Sequence, residues 1–474
     1  MTETRLIMGF TIHREREILM AMQFDADTTA TSSSNVLSDQ LLKDPFSLFA
    51  QMRVMGAVVP APFPTSTQQK AWMVIRMQEA LQVLKDSQRF TLDYAAAQGN
   101  ALVQRMQSSQ GFPLLGRSML DVDGLAHRRL HGLVSEVFTP KYIGGLRPSI
   151  EQIANRLLDQ VAEAGCMDLV EDYAYPLPIN VISDMLGVPH THWDLVREGS
   201  RAIVAVAGGR PITPDDRNAD GHAQKIDAFG NYIAQLVAEK RHHPQSDLIS
   251  QLVQIEEDGD RLSEPELLSM VGLLLVAGHE TTSNLIGSGM LALLDHADQL
   301  ERLKADLSLV PRAIEKLLRF IGPVLTSVPR LATEEVDLGG QHISRGDIVI
   351  AAITSANRDE SHFTHAAELD LLRSIDRHLA FGYGIHTCLG APLAHLEGEI
   401  AFTTLLRRMP NLRLNAPREA LTWHGSLNVR GFTHLPVAFS PLMERSRHFP
   451  RLAQERKERR EEVFSERRRS LKAS

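Results

Sequence analysis

Apolar residues recur at helical spacing along most of this 474-residue chain and alternate over only a few short stretches. Asp44-Pro45-Phe46 opens a helix whose apolar stripe is Leu48, Met52 and Met55. Residues 71–75 read as a short strand, and 78–86 as a helix behind it. Residues 91–118 have weak periodicity and several glycines, which predicts a long loop with short helical pieces. His127 and His131, within 121–140, stand four apart and so share one helical face. Segments 150–164 and 227–241 are amphipathic, and the glycine- and proline-bearing stretch 208–221 predicts a loop between helices. Ser263-Glu264-Pro265-Glu266 is a capping box, and the helix it starts runs to about Asp295, roughly 45–50 Å long. Residues 335–352 alternate and turn at Gly339-Gly340 and Arg345-Gly346, which predicts a small antiparallel sheet. Leu393, Leu396 and Ile400 follow Pro392 at helical spacing. The fold class expected is mainly α with small antiparallel β-sheets.

Composition narrows the class of molecule. With 43% hydrophobic and 23% charged residues the chain is an ordinary globular protein. A net charge of −8 gives no general attraction to nucleic acid or to an anionic membrane. Two cysteines far apart, Cys166 and Cys388, make no disulfide framework, so a reducing cytoplasm is the expected compartment. The longest apolar segment, 270–294, is interrupted by His279, Glu280 and Asn284 and reads as a buried helix rather than a membrane anchor. Residues 1–37, with a Thr/Ser-rich run at 28–35, are expected to be a disordered leader, and Met20 or Met22 is an alternative start. Residues 443–474, rich in Arg, Lys and Glu, read as a solvated tail beyond a catalytic unit of 38–442.

The densest chemistry lies at Phe381-Gly382-x-Gly384-x-His386-x-Cys388-x-Gly390. Gly382, Gly384 and Gly390 allow positive φ and a close approach to whatever Cys388 touches. A cysteine just before a helix faces unpaired N–H groups and the positive end of the dipole, both of which favour the metal-binding thiolate. An arbitrary lone cysteine is more often a buried thiol beside a turn. This pattern, followed by Leu393-Ala394 and Glu397, instead resembles the haem-binding loop of the cytochrome P450 family. The resemblance extends over about 38–440 and implies the fold of that family, with haem b between a long distal helix and the helix of the cysteine loop. It implies Cys388 as axial iron ligand, Phe381 near the sulfur, Gly390 beside it and His386 at a propionate. A thiolate ligand pushes electron density toward the iron and favours O–O cleavage.

The resemblance assigns further residues. His127 and His131 would meet the propionates, as would Arg330, each of them otherwise an ordinary basic surface residue. Ala277 and Gly278 would leave room over the haem, and Glu280 with Thr281 would form an acid–alcohol pair relaying protons. Read without the resemblance, Thr281 bonds back to an upstream carbonyl and bends the helix. His279-Glu280 does not make a zinc HExxH motif, because Ser283 stands where the second histidine is required. One departure concerns Glu-x-x-Arg: Lys316 occupies the glutamate position before Arg319, and Glu315 lies within i,i+4 reach as a substitute, with Arg373 as third partner. Asn428–Gly431 and Leu435-Pro436-Val437 resemble the family's last hairpin.

The function implied is insertion of one oxygen atom of O2 into an apolar or amphipathic small molecule, in secondary metabolism or in xenobiotic or lipid oxidation. Electrons would come from a separate ferredoxin and its reductase, since neither end carries a flavin or nicotinamide fingerprint. Peroxide-driven relatives generally lack the acid–alcohol pair. The alternative from another class is a catalytically silent haem-binding or partner-recruiting protein, kept open by Lys316.

Overall fold

The computed structural model describes residues 41–61, 70–94, 118–136, 138–207, 221–254, 262–374, 377–425 and 428–441. The expected leader and charged tail, and most of the loops expected at 91–118 and 208–221, lie outside the described residues.

Helices dominate, and their starts follow local sequence. In α1 (Pro45–Met55), Asp44 Oδ1 accepts from the Ser47 N–H at 3.1 Å and proline occupies the first turn. Behind it come α2 (Met77–Lys85), α3 (Gly124–Ser135), α4 (Arg147–Asp159), α5 (Pro176–Leu186), α6 (Trp193–Ala207) and α7 (His222–His242). The long helix α8 (Glu264–Asp295) has 32 residues and begins at the expected capping box, Glu266 Oε2 accepting from the Ser263 N–H at 2.9 Å. It packs against α5, α9 (Val310–Ile321) and α10 (Ala391–Arg408). Because α8 is enclosed on nearly every side, its apolar residues do not form the single stripe of a surface helix. Met270, Val271, Leu275, Ile286 and Met290 are all fully buried, each contributing about 1.5–3 kcal/mol of burial.

The sheets are small, and one differs from a purely antiparallel arrangement. Five strands run in the order Val58–Pro60, Ala71–Val74, Ile348–Ala351, Arg330–Ala332, Phe90–Thr91. Ala71–Val74 pairs in parallel with Ile348–Ala351. A parallel pair needs a long crossover, and here the helical body of the protein supplies it. The expected hairpin inside 335–352 is Val336–Leu338 against Gln341–Ile343, turning through Gly339 and Gly340 at φ +55° and +80°. Positive φ at both central residues matches the twist of a two-residue turn. Near the C-terminal end of the described chain, the strands expected as one hairpin belong to two sheets. Arg430–Phe432 pairs with Trp423–Gly425, whereas Pro436–Ala438 pairs with Cys166–Asp168 and Arg413–Leu414.

Candidate active site

Cys388 stands two residues before Gly390, the N-cap of α10, and Pro392 falls in the first turn as expected. Its N–H donates to Phe381 O at 2.9 Å, closing the loop. Gly382 and Gly384 take φ of +72° and +80°. At Gly384 a Cβ would also lie 2.5 Å from Leu84 O of α2, so glycine is required on two counts. Gly390 departs from the expectation: its φ is −78°, and a Cβ there would meet only Cys388 Sγ, at 3.8 Å. Cys388 is accessible. Desolvation nonetheless raises its pKa and outweighs the amides of Gly390 and Ala391, which favour the thiolate. A bound metal cation reverses that balance, since a coordinating thiol is deprotonated outright. Phe381 packs with its ring 4.9 Å from that of His395.

Beside this loop the fold assembles a buried polar cluster from three distant segments. Asp123 is the N-cap residue of α3, yet its side chain does not cap the helix. Instead Oδ1 accepts from His386 Nε2 at 2.7 Å, and Oδ2 accepts from Thr91 Oγ1 at 2.6 Å and the Leu92 N–H at 2.7 Å. Burial raises the Asp123 pKa, but the bonds from His386, Thr91 and Leu92 outweigh it and hold it at about 2. The His127 ring lies edge-on to His386 at 4.4 Å between centroids, with His131 at 5.4 Å from His127. Desolvation, then repulsion from His386 and His131, lowers His127 to about 4. His131 Nδ1 is engaged with Ser135 Oγ at 3.0 Å. Arg330, buried and within the field of Asp123, donates Nη1–H to Phe90 O at 3.0 Å. His127 Nδ1 and Arg330 Nε are buried without a hydrogen-bond partner among the described residues. Such orphaned groups cost about 1–3 kcal/mol each, so the cluster fits carboxylates delivered by a ligand. The propionates of a haem have that chemistry.

On α8 the accessible positions Leu273, Ala277 and Thr281 fall four apart on one face, with Val276 and Gly278 partly accessible beside them. Thr281 Oγ1 donates to Ala277 O at 3.3 Å, the expected back-bond. Gly278 lies where α8 meets α5. A Cβ there would lie 2.9 Å from Ile182 Cγ1, so its missing side chain seats α5 against α8. His279 is fully buried, with Nδ1 on Leu275 O at 2.7 Å and Nε2 on the Tyr175 hydroxyl at 3.2 Å. Glu280 is buried and accepts from Asn284 Nδ2 at 3.4 Å. Among the described residues no three His, Cys, Asp or Glu side chains could hold a metal ion together.

The support of the cysteine loop also departs from expectation. Glu315 does not substitute as a partner for Arg319; its two oxygens bind His378 Nε2 at 2.8 Å and His395 Nε2. Those two hydrogen bonds pull the carboxyl pKa well below its usual value. Glu315 thus ties α9 to the start of the loop and to α10. Arg319 donates to Asn357 O and Ala366 O, both at 2.9 Å, and Arg373 to Thr364 O and His365 O. Lys316 Nζ donates to Ser374 O at 2.7 Å. These cations hold successive carbonyls of the segment leading to the loop. Asp123, Asn284, Glu397 and His424 escape sequence reasoning as site residues. Of these, Glu397 stands in the motif already quoted from the sequence, and Asp123 lies four residues before His127.

Residues 212–427 match the family model described as Cytochrome P450. The chain is 40% identical over 371 residues to the polyketide biosynthesis cytochrome P450 PksS of Bacillus subtilis, covering 78% of this chain and 89% of that protein. It is 37% identical over 413 residues to 6-deoxyerythronolide B hydroxylase of Saccharopolyspora erythraea, covering 86% and 99%. Among solved structures, myxobacterial cytochrome P450 CYP267B1 in complex with myristic acid superposes with a TM-score of 0.78 at 36% identity, covering 85% of this chain and 98% of that one.

Proposed function

This chain belongs to the cytochrome P450 family of monooxygenases, and from that premise we propose that Cys388 is the axial ligand of a haem b. The enzyme inserts one oxygen atom of O2 into an apolar or amphipathic small molecule of polyketide or fatty-acyl type. The observation that carries this reading is the buried cluster of Asp123, His127, His386 and Arg330, with the His127 Nδ1 and the Arg330 Nε–H left unpaired, next to an accessible cysteine at a helix start.

Haem, when bound, supplies the oxygen-activating redox chemistry. The chain's own residues do the rest. His127 and Arg330 would hold the propionates together with His386, whose Nε2 is oriented by Asp123, with His131 behind them, and Phe381 would shield the sulfur. Leu273, Val276 and Ala277 of α8 face the substrate. Thr281 holds a proton at Oγ1, and Glu280, out of water, moves protons toward it. Val324, bridged to Val429, adds another apolar wall. The substrate class rests on this lining and on what the relatives are named for, polyketides and a fatty acid.

Electrons come from a separate ferredoxin and its reductase. The alignment covers 99% of the hydroxylase relative, which leaves that protein no length for a fused reductase. The cytoplasm is the compartment we assign. Its support is two free cysteines and the absence, among the described residues, of any helix long and apolar enough to cross a membrane. Lys316 does not favour a silent protein, since it braces the same segment as Arg319.

The reduced, CO-treated protein should show the red-shifted Soret band of a thiolate ligand, lost in Cys388→Ala. An ordinary Soret position would defeat the assignment of Cys388. With a surrogate ferredoxin system, Thr281→Ala should divert electrons to peroxide; unchanged coupling would remove Thr281 from the mechanism.

A further inference from the structure

Glu280 is almost wholly buried, so a proton it passes inward must be replaced through a neighbour that reaches water. The groups facing it come from several elements. On α8, Asn284 Nδ2 donates to Oε1, while His279 is turned to Leu275 O and Tyr175. From α6, Arg201 acts on Glu280 at longer range. Its Nη2 is committed to Glu171 Oε1 at 2.8 Å and its guanidinium lies 4.3 Å from the centre of the Tyr175 ring. From the strand Trp423–Gly425, His424 brings Nε2 to 3.8 Å from Glu280 Oε1 while 40% of its side chain stays exposed.

The placement of His424 is built into the fold. Gly431 lies opposite it in the antiparallel register. A Cβ on Gly431 would lie 1.8 Å from Asn284 Oδ1. Glycine therefore lets the strand pair rest directly on α8 at Asn284, and this close seat carries His424 to the acid. Trp423 stacks on Phe432 at 3.7 Å between centroids and lies 3.1 Å below the Arg430 guanidinium, which fixes the same strand pair from its flanking positions.

We propose that His424 recharges Glu280 with protons from solvent. The imidazolium Nε2–H bond breaks as the Glu280 Oε1–H bond forms, and the neutral imidazole regains a proton from bulk water; no electrons change hands. The separation exceeds a direct hydrogen bond, and a small ring rotation or one bridging water closes it. His424 acts through Glu280 rather than on substrate, so it is a positioning residue. The inference rests on Glu280 and Thr281 being the proton path. Burial lowers the His424 pKa, as does Arg201, while Glu280 and Glu171 oppose them without restoring the ordinary value. Its protonated fraction, and the flow it supports, should therefore fall as pH rises through a value below that of free histidine.

The test compares holoenzyme carrying His424→Gln with wild type. The CO spectrum should be unchanged. Coupled turnover on the acid side should fall about tenfold, less than the roughly hundredfold of a directly acting acid, because water offers a slower route. The acid limb of the pH profile should flatten and the solvent deuterium isotope effect should rise. Independently of turnover, the infrared carboxyl band of Glu280, assigned by its loss in Glu280→Gln, should change frequency once the His424 ring 3.8 Å away is gone. A turnover loss with unchanged pH profile, isotope effect and Glu280 infrared band would reduce His424 to a packing residue and overturn the proposal. A wild-type protein without the thiolate spectrum would instead overturn the reading beneath it, and is seen without any His424 variant.

Discussion

Glu397 is fully buried on α10, and neither of its carboxyl oxygens has a hydrogen-bond partner among the described residues. Desolvation raises its pKa to about 8, with Thr282 of α8 only partly opposing. Between the ordinary carboxyl value and about 8, the folded chain keeps a proton that the unfolded chain releases. The stability Glu397 contributes is therefore complete below the unfolded value and is lost as pH rises through about 8. Asp123 has the opposite sign: its folded pKa is about 2, so its contribution is lost as pH falls through that value. Glu397→Gln, which cannot ionise, should flatten the decline of the unfolding free energy between the ordinary carboxyl value and about pH 8 in urea titrations. Parallel curves for the two proteins would exclude an ionisable Glu397 as its cause. Cys388, Glu280 and Thr281 could be picked out through the family resemblance that their motifs carry. Asp123 and His424 could not, because their partners His386 and Glu280 are brought in by other segments of the fold.

Between elements, the contact that most needs the fold to explain it is Glu315 with His378 and His395. Sequence spacing offered Arg319 as the partner, one turn along the same helix. The tertiary structure presents two histidines from the loop and from α10 on the other side, while the Arg319 guanidinium meets the carbonyls of Asn357, Ala366 and Glu368. Glu315→Ala should cost about 1–2 kcal/mol, below the usual worth of charged hydrogen bonds because the site is part-exposed. It should also speed haem loss to an acceptor protein more than it lowers the melting temperature, since it loosens the loop more than the core. Equal effects on both would make Glu315 an ordinary stabilising residue. The capping box of α8 and the proline at the start of α10 were legible because both signals act within four residues.

For the whole molecule, α8 and the cysteine loop come from distant parts of the chain, and on the function proposed above haem is the ligand that would link them. A ligand bound only to the folded state raises stability by mass action, about 2.7 kcal/mol at a hundredfold excess over its dissociation constant. Haem loading should accordingly raise the unfolding midpoint of the wild type in a concentration-dependent way. Cys388→Ala should leave the haem-free midpoint near the wild-type value, since the side chain is accessible, and should shrink the rise. An undiminished rise in calorimetry would show that the cluster of His127, His386 and Arg330 carries the affinity without the thiolate.

The sequence by itself determined what depends on nearby residues: helix starts, glycines forced to positive φ at Gly382 and Gly384, a cysteine before a helix, and an acid beside a threonine on a long apolar helix. Only the tertiary structure decided what depends on distance in space. It made one strand pair parallel, divided the expected last hairpin between two sheets and assigned Gly278 to the seat of α5. It also gave Glu315 to two histidines and delivered His424 to Glu280. The physical reason is common to all five. Each is settled by which surfaces meet when the core is buried, and burial is a property of the assembled elements rather than of any window of the chain.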